Sequence, residues 1–219
     1  LAAEQRLLDV PQFLGLDGNG KLWSGFGPWF KIDRKTNTFE ESFNLRTAPN
    51  KPADASGGGY QMEVDSKGNP VLTDAGSGYI AKMNGATKEI RWIKVSVKDS
   101  YPRRGRMDKE DRFWFSMYRG NKVGMLDPKT DAVREYPLPY KYFAPYTVSY
   151  PDGRGRVFAA SNLSDRLGRV DTKTGEVITY LMPTRDFDTK KISIDHKDGK
   201  TVWFANKRAA RVVRVEQLD

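Results

Sequence analysis

Apolar and polar residues alternate along this chain in short runs, and the runs are separated by turns rich in Asp, Gly, Asn and Lys. Leu16-Asp17-Gly18-Asn19-Gly20-Lys21-Leu22-Trp23 shows the plan: a strand end, a tight polar turn, and a second strand that opens on an aromatic residue. A period of two bounded by such turn residues predicts β-hairpins. The plan returns at 64–72, 107–115, 150–158 and 194–204. A second landmark closes the third strand of each unit, at Lys31-Ile32-Asp33, Lys82-Met83-Asn84, Met125-Leu126-Asp127, Arg169-Val170-Asp171 and Arg214-Val215-Glu216. Its final positions are spaced 51, 43, 44 and 45 residues apart.

Those spacings suit a four-stranded β-propeller blade, and no helix-period segment interrupts them. The expectation is an all-β chain, a β-propeller of four-stranded antiparallel blades with five repeats visible. It forms a single domain over 1–219, with blades at roughly 12–56, 57–101, 102–143, 144–188, and 189–219 together with 1–11. Gln5-Arg6-Leu7-Leu8-Asp9-Val10-Pro11 reads as a lone fourth strand that closes the ring by completing the last blade. A fragment of a longer chain would fit a seven-bladed ring instead.

Composition narrows the function classes. The chain has no cysteine, which excludes disulfides and thiolate metal sites, and no apolar run long enough for a spanning helix. A net charge of +9 favours acidic partners: an anionic small molecule, an acidic protein, a membrane surface or nucleic acid. Lys207, Arg208, Arg211 and Arg214 form the one basic cluster suited to phosphates, but no nucleic-acid module accompanies it, so nucleic acid is not the expected partner. The start at Leu1 fits a processed export product or a piece of a larger chain, fused or in a complex.

Phe113-Trp114-Phe115, Asn121-Lys122-Val123-Gly124-Met125-Leu126-Asp127-Pro128-Lys129-Thr130, Glu135-Tyr136-Pro137-Leu138-Pro139 and the stretch 167–175 resemble the streptogramin B lyase (virginiamycin B lyase) family of β-propellers. The resemblance implies a propeller, a periplasmic or secreted location, and a carbon–oxygen lyase chemistry. That chemistry is a Mg²⁺-assisted elimination using a histidine at blade starts and a glutamate after the Trp-Phe strand. Elimination needs a base and an electrophile that holds the developing oxyanion. Here the histidine positions are taken by Tyr60, Arg104, Tyr146 and Lys191. Met117 and Asn206 replace the glutamate, with Asp74 the acidic residue of the second repeat.

Residues that open the inner strands of a propeller face the mouth of its central funnel. Tyr60, Gln61, Arg103, Arg104, Tyr146, Lys190 and Lys191 are therefore the candidate ligand-binding residues, a basic, tyrosine-lined concavity for a carboxylate, a phosphate or an acidic protein. The alternative is a lyase or metal-dependent hydrolase in the same funnel, with Tyr146 or Asp74 as base, Arg104 as anion holder, and Asp74 as a ligand for Mg²⁺ or Ca²⁺. Asp65, Asp108 and Asp195 occupy the pre-turn position, where aspartate accepts backbone N–H bonds. Trp23, Trp114 and Trp203 recur at one repeat position and are expected in the core. His196, the sole histidine, falls in a surface turn. Gly57-Gly58-Gly59 reads as a flexible connection, with no lysine-serine pair to make it a phosphate loop. Tyr140, Tyr142, Phe143, Tyr146 and Tyr150 read equally as an interface or aromatic pocket wall and as packing between blades.

Overall fold

The computed structural model describes residues 13–25 and 28–218. They belong to two compact units, Leu1–Pro102 and Arg103–Asp219. The first unit holds two antiparallel sheets: β1 (Phe13–Leu16), β2 (Lys21–Gly25), β3 (Pro28–Asp33) and β4 (Thr38–Asn44), then β5 (Met62–Val64), β6 (Pro70–Asp74), β7 (Tyr79–Met83) and β8 (Ile90–Lys94). The second holds three. These are β9 (Pro102–Met107), β10 (Phe113–Met117), β11 (Lys122–Asp127) and β12 (Ala132–Pro137); β13 (Pro145–Val148), β14 (Arg156–Ser161), β15 (Arg166–Asp171) and β16 (Val177–Leu181); and β17 (Ile192–Ile194), β18 (Val202–Asn206) and β19 (Arg211–Val215). Each sheet is a meander in which successive strands pair. The strand expected at 5–11, and the ring closure that depends on it, lie outside the described residues.

The first hairpin of every sheet is built on one aspartate. Oδ1 of Asp17 accepts the backbone N–H groups of Asn19 and Lys21, both at 2.9 Å. Asp65, Asp108 and Asp152 repeat this with the residues two and four positions on. The other oxygen reaches the second strand. Asp17, Asp108 and Asp195 accept the indole N–H of Trp23, Trp114 and Trp203 at 3.1, 2.8 and 3.0 Å. Where the sheet has no such tryptophan, an amide takes its place: Asn69 donates to Asp65 at 2.9 Å and Gln217 to Asp152 at 2.7 Å. In the three sheets with the tryptophan, one carboxylate thus shapes the turn and anchors the strand that leaves it.

Packing occurs between the faces of consecutive sheets. Trp23, Trp29 and Leu45 meet Met62, Leu72 and Met83 in the first unit. In the second, Trp114, Val123 and Tyr136 meet Val148, Val157 and Val170, while Phe158 and Leu167 meet Ile192, Val202 and Phe204. Strand β10 is buried along its whole length, which its unbroken Phe-Trp-Phe-Ser-Met sequence requires. Trp23 and Trp114 are core residues as expected, but Trp203 is only half-buried. It lies in the three-stranded sheet, with the Arg214 guanidinium 5.7 Å from its ring centre.

Asp108→Ala strands the buried Trp114 indole and two backbone N–H groups, so chemical denaturation should show a loss of about 3 kcal/mol. Asp65→Ala, whose side-chain donor is the half-buried Asn69, should cost less. Asp33, the last residue of β3, is held down to about 2 by the Lys21 ammonium and by the N–H groups of Lys35 and Thr36. A depressed carboxyl stabilises the fold above its ordinary value near 3.8 and loses that contribution as pH falls toward 2. Denaturation midpoints measured between those limits should fall with pH, and the fall should be shallower in Asp33→Asn.

Candidate functional site

Of the predicted ligand-binding residues, the second unit brings four together at the N-terminal ends of β9, β13 and β17. The Arg103 guanidinium carbon lies 3.9 Å from the ring centre of Tyr118 and 4.5 Å from that of Tyr146. Those two rings meet edge to face with centroids 6.1 Å apart. The Arg104 guanidinium stands 5.4 Å and the Lys190 ammonium 5.9 Å from the same Tyr146 ring. Arg104 also donates through Nη1 to the Lys190 carbonyl at 2.7 Å. Three cations therefore converge on one phenol ring, itself only 7% exposed.

The local sequence explains the convergence. Ser116 Oγ, buried on β10, donates to the Tyr146 carbonyl at 3.0 Å and fixes the start of β13 against the end of β10. Tyr118 follows β10 directly, and β10 pairs antiparallel with β9, so its ring comes back over Arg103. Stacking occupies the face of a guanidinium, while its N–H donors lie in the plane and point past the ring. Asp188 sits 3.8 Å from the Lys190 ammonium. Tyr118 is absent from the sequence-derived site. It lies one residue past the strand that pairs with the one carrying Arg103, a pairing that local spacing does not register. Lys191 is exposed, one residue before β17.

Tyr60 and Gln61 belong to the first unit. The Tyr60 N–H donates to the Thr73 carbonyl at 2.7 Å, and the Gln61 side chain, 2% exposed, donates to Glu63 at 2.9 Å. Asp74, at the end of β6, is fully buried. Its carboxylate accepts the N–H groups of Ser56, Gly57 and Gly58 at 2.8, 3.2 and 3.1 Å, the Ser77 hydroxyl at 2.6 Å, and the Ser56 hydroxyl. The glycine run is therefore an ordered cradle of successive N–H groups, of the kind that holds anions, and Asp74 is the anion it holds. This corrects the reading of a flexible connection. Gly57 needs its positive φ of 66°, and a Cβ there would come within 2.7 Å of the Arg46 backbone. Gly59 would meet the Trp29 indole at 2.8 Å.

With both Asp74 oxygens engaged, the residues present do not fit a Mg²⁺ or Ca²⁺ site there. Among the described residues no group of three or more His, Asp or Glu side chains is placed to hold a metal ion. The aromatic run divides: Phe143 is fully buried and Tyr146 nearly so, whereas Tyr140 and Tyr142 are exposed. In the basic cluster, Arg214 pairs with Glu216 at 2.5 Å and Arg208 with Asp186 at 4.0 Å.

The fold is that of virginiamycin B lyase-like β-propellers. Virginiamycin B lyase from Staphylococcus aureus superposes with a TM-score of 0.76 at 18% identity, over 95% of this chain and 70% of the lyase. The extracellular domain of a hybrid two-component system from B. thetaiotaomicron gives 0.71 at 13% identity, over 94% and 27%. Kuenenia stuttgartiensis hydrazine synthase gives 0.69 at 13%, over 95% and 66%. No protein-family model matches the sequence, and no curated protein matches it. Among the described residues no helix is long and apolar enough to cross a membrane.

The cradle predicts an ordered series of stabilities. Gly57→Ala and Gly59→Ala should each lower the denaturation midpoint clearly more than Gly58→Ala, whose Cβ would meet the Ser56 hydroxyl at 3.1 Å and Asp74 Oδ1 at 3.9 Å. Asp74→Ala should cost at least about 3 kcal/mol, because it leaves several buried donors without an acceptor. Equal midpoints across the glycine series would show the loop to be loose.

Proposed function

We propose that this β-propeller is a binding or scaffolding module whose recognition surface is the cation–tyrosine cluster of Arg103, Arg104, Tyr118, Tyr146 and Lys190, with the exposed Lys191 beside it. Its ligand is an anionic small molecule or an acidic segment of a protein partner. The observation that carries this reading is the convergence of two guanidinium groups and one ammonium on the single ring of Tyr146. Guanidinium and ammonium groups gathered around one ring offer charge-assisted hydrogen bonds that a single anion can bridge. The tyrosine rings keep the guanidinium planes in place, which lowers the ordering cost of binding.

The reading extends to one propeller domain over 1–219, supported by repeat spacing that continues unbroken across residue 102. A periplasmic or extracellular location is supported by the likeness to an extracellular domain. Tyr60 and Gln61 remain candidates from the first unit; the second-unit cluster carries the reading alone.

A catalytic function stands second, with Tyr146 as base and Arg104 as anion holder, and is favoured by the likeness to virginiamycin B lyase. At 18% identity that likeness concerns the fold, and fold does not fix chemistry. A hexaglutamate peptide tests the binding reading. Calorimetry should show saturable binding that weakens as salt rises, and Arg104→Ala combined with Lys190→Ala should reduce the affinity about ten-fold or more. Unchanged affinity in that variant, with an unchanged melting curve, overturns the assignment.

A further inference from the structure

We propose that the second unit carries a further anion site, at the opposite ends of the strands that position the cation–tyrosine cluster. Strands β9, β13 and β17 run from that cluster to a cavity of about 560 Å³, which opens among the hairpin turns of three consecutive sheets. The volume is that of a small-molecule pocket. Its lining includes the cationic side chains of Lys109, Arg154 and Lys173, and His196, the only histidine of the chain.

The carboxylates on the lining are engaged by the turns and by neighbouring side chains. Asp108 accepts the N–H groups of Glu110 and Arg112 on one oxygen and the Trp114 indole and Arg112 Nε on the other. Asp152 accepts the N–H groups of Arg154 and Arg156, and the Gln217 amide at 2.7 Å. Glu110 takes Arg112 Nη2 at 3.0 Å and lies 3.6 Å from Lys109. Their lone pairs point into turns and partners, whereas Lys173 and His196 are exposed at the rim.

The walls are rigid. The Gly153 N–H donates to the Gly199 carbonyl at 2.7 Å, and Thr172 donates through its N–H and its hydroxyl to the Gly155 carbonyl at 2.9 and 2.7 Å. Tyr150 donates to the Ile194 carbonyl at 3.4 Å and stacks on His196, with centroids 6.3 Å apart and planes inclined by 21°. Burial pushes the Tyr150 phenol up, and the Arg106 charge opposes that shift. Preformed turns, a cationic rim and internally satisfied carboxylates together fit a small phosphate- or carboxylate-bearing anion.

The single histidine makes the test local. Titration of the intact chain with pyrophosphate, and separately with citrate, is followed through the carbon-bound ring protons of His196 by NMR. A saturable shift with either anion, beyond that produced by sodium chloride at matched ionic strength, is the expected result; comparing the two anions separates phosphate from carboxylate recognition. The double variant Arg154→Ala, Lys173→Ala should raise the half-saturating concentration about ten-fold, with its melting curve recorded to confirm folding. A shift that never saturates, one matched by sodium chloride, or one unchanged in the folded double variant overturns the proposal. Should the double variant fail to fold, the wild-type comparison with sodium chloride decides alone.

Discussion

A carboxylate that holds a turn and the next strand at the same time is the interaction on which the rest of this structure depends. A hairpin turn alone fixes register only loosely, and a one-residue slip would move a strand's apolar face from core to solvent. With Asp108 bound to its own turn on one oxygen and to the Trp114 indole on the other, the indole can reach its acceptor only in one register. The same register delivers the Trp114 ring to its stack with Tyr136, at 5.9 Å, and to the core shared with the next sheet. Turn chemistry and packing therefore select the same pairing.

The ends of the sheets divide the work. The ends that carry the aspartate turns are stitched by backbone and carboxylate bonds. At the opposite ends, the segments between sheets carry irregular sequence, and each unit solves its local electrostatics differently. In the first unit a cradle of N–H groups is filled by Asp74. In the second, Arg103, Arg104 and Lys190 are gathered around aromatic rings and a backbone carbonyl. One arrangement is closed on a carboxylate of its own; the other gathers cations around aromatic rings, with Asp188 3.8 Å from the Lys190 ammonium.

Much of the fold was legible in the sequence because its governing residues are local. An aspartate and the N–H groups it caps lie within four residues of one another, so Asp65 and Asp108 could be assigned to turns from spacing alone. The start of an inner strand was legible too, and it located Arg103, Arg104, Tyr146 and Lys190. Interactions between distant segments were not legible. Asp74 lies 16 to 18 residues from the cradle it fills, and nothing in Gly57-Gly58-Gly59 by itself tells an ordered loop from a loose one. Gln217, standing in for a tryptophan 65 residues from Asp152, was equally out of reach. Tyr118 escaped because its role depends on antiparallel pairing that returns it to Arg103.

The glycine cradle also shows why motif and chemistry must be separated. Consecutive N–H groups converging on an oxygen pair are what a phosphate-binding loop supplies, and here the same geometry serves packing because the chain provides the carboxylate itself. A site for an external anion must therefore be sought where charge is gathered and the chain's own acidic groups are engaged elsewhere. Arginine stacked on tyrosine meets part of that condition, since the rings hold the guanidinium planes without supplying a compensating negative charge. By this criterion the proposed recognition surface lies in the second unit, and not at the glycine run.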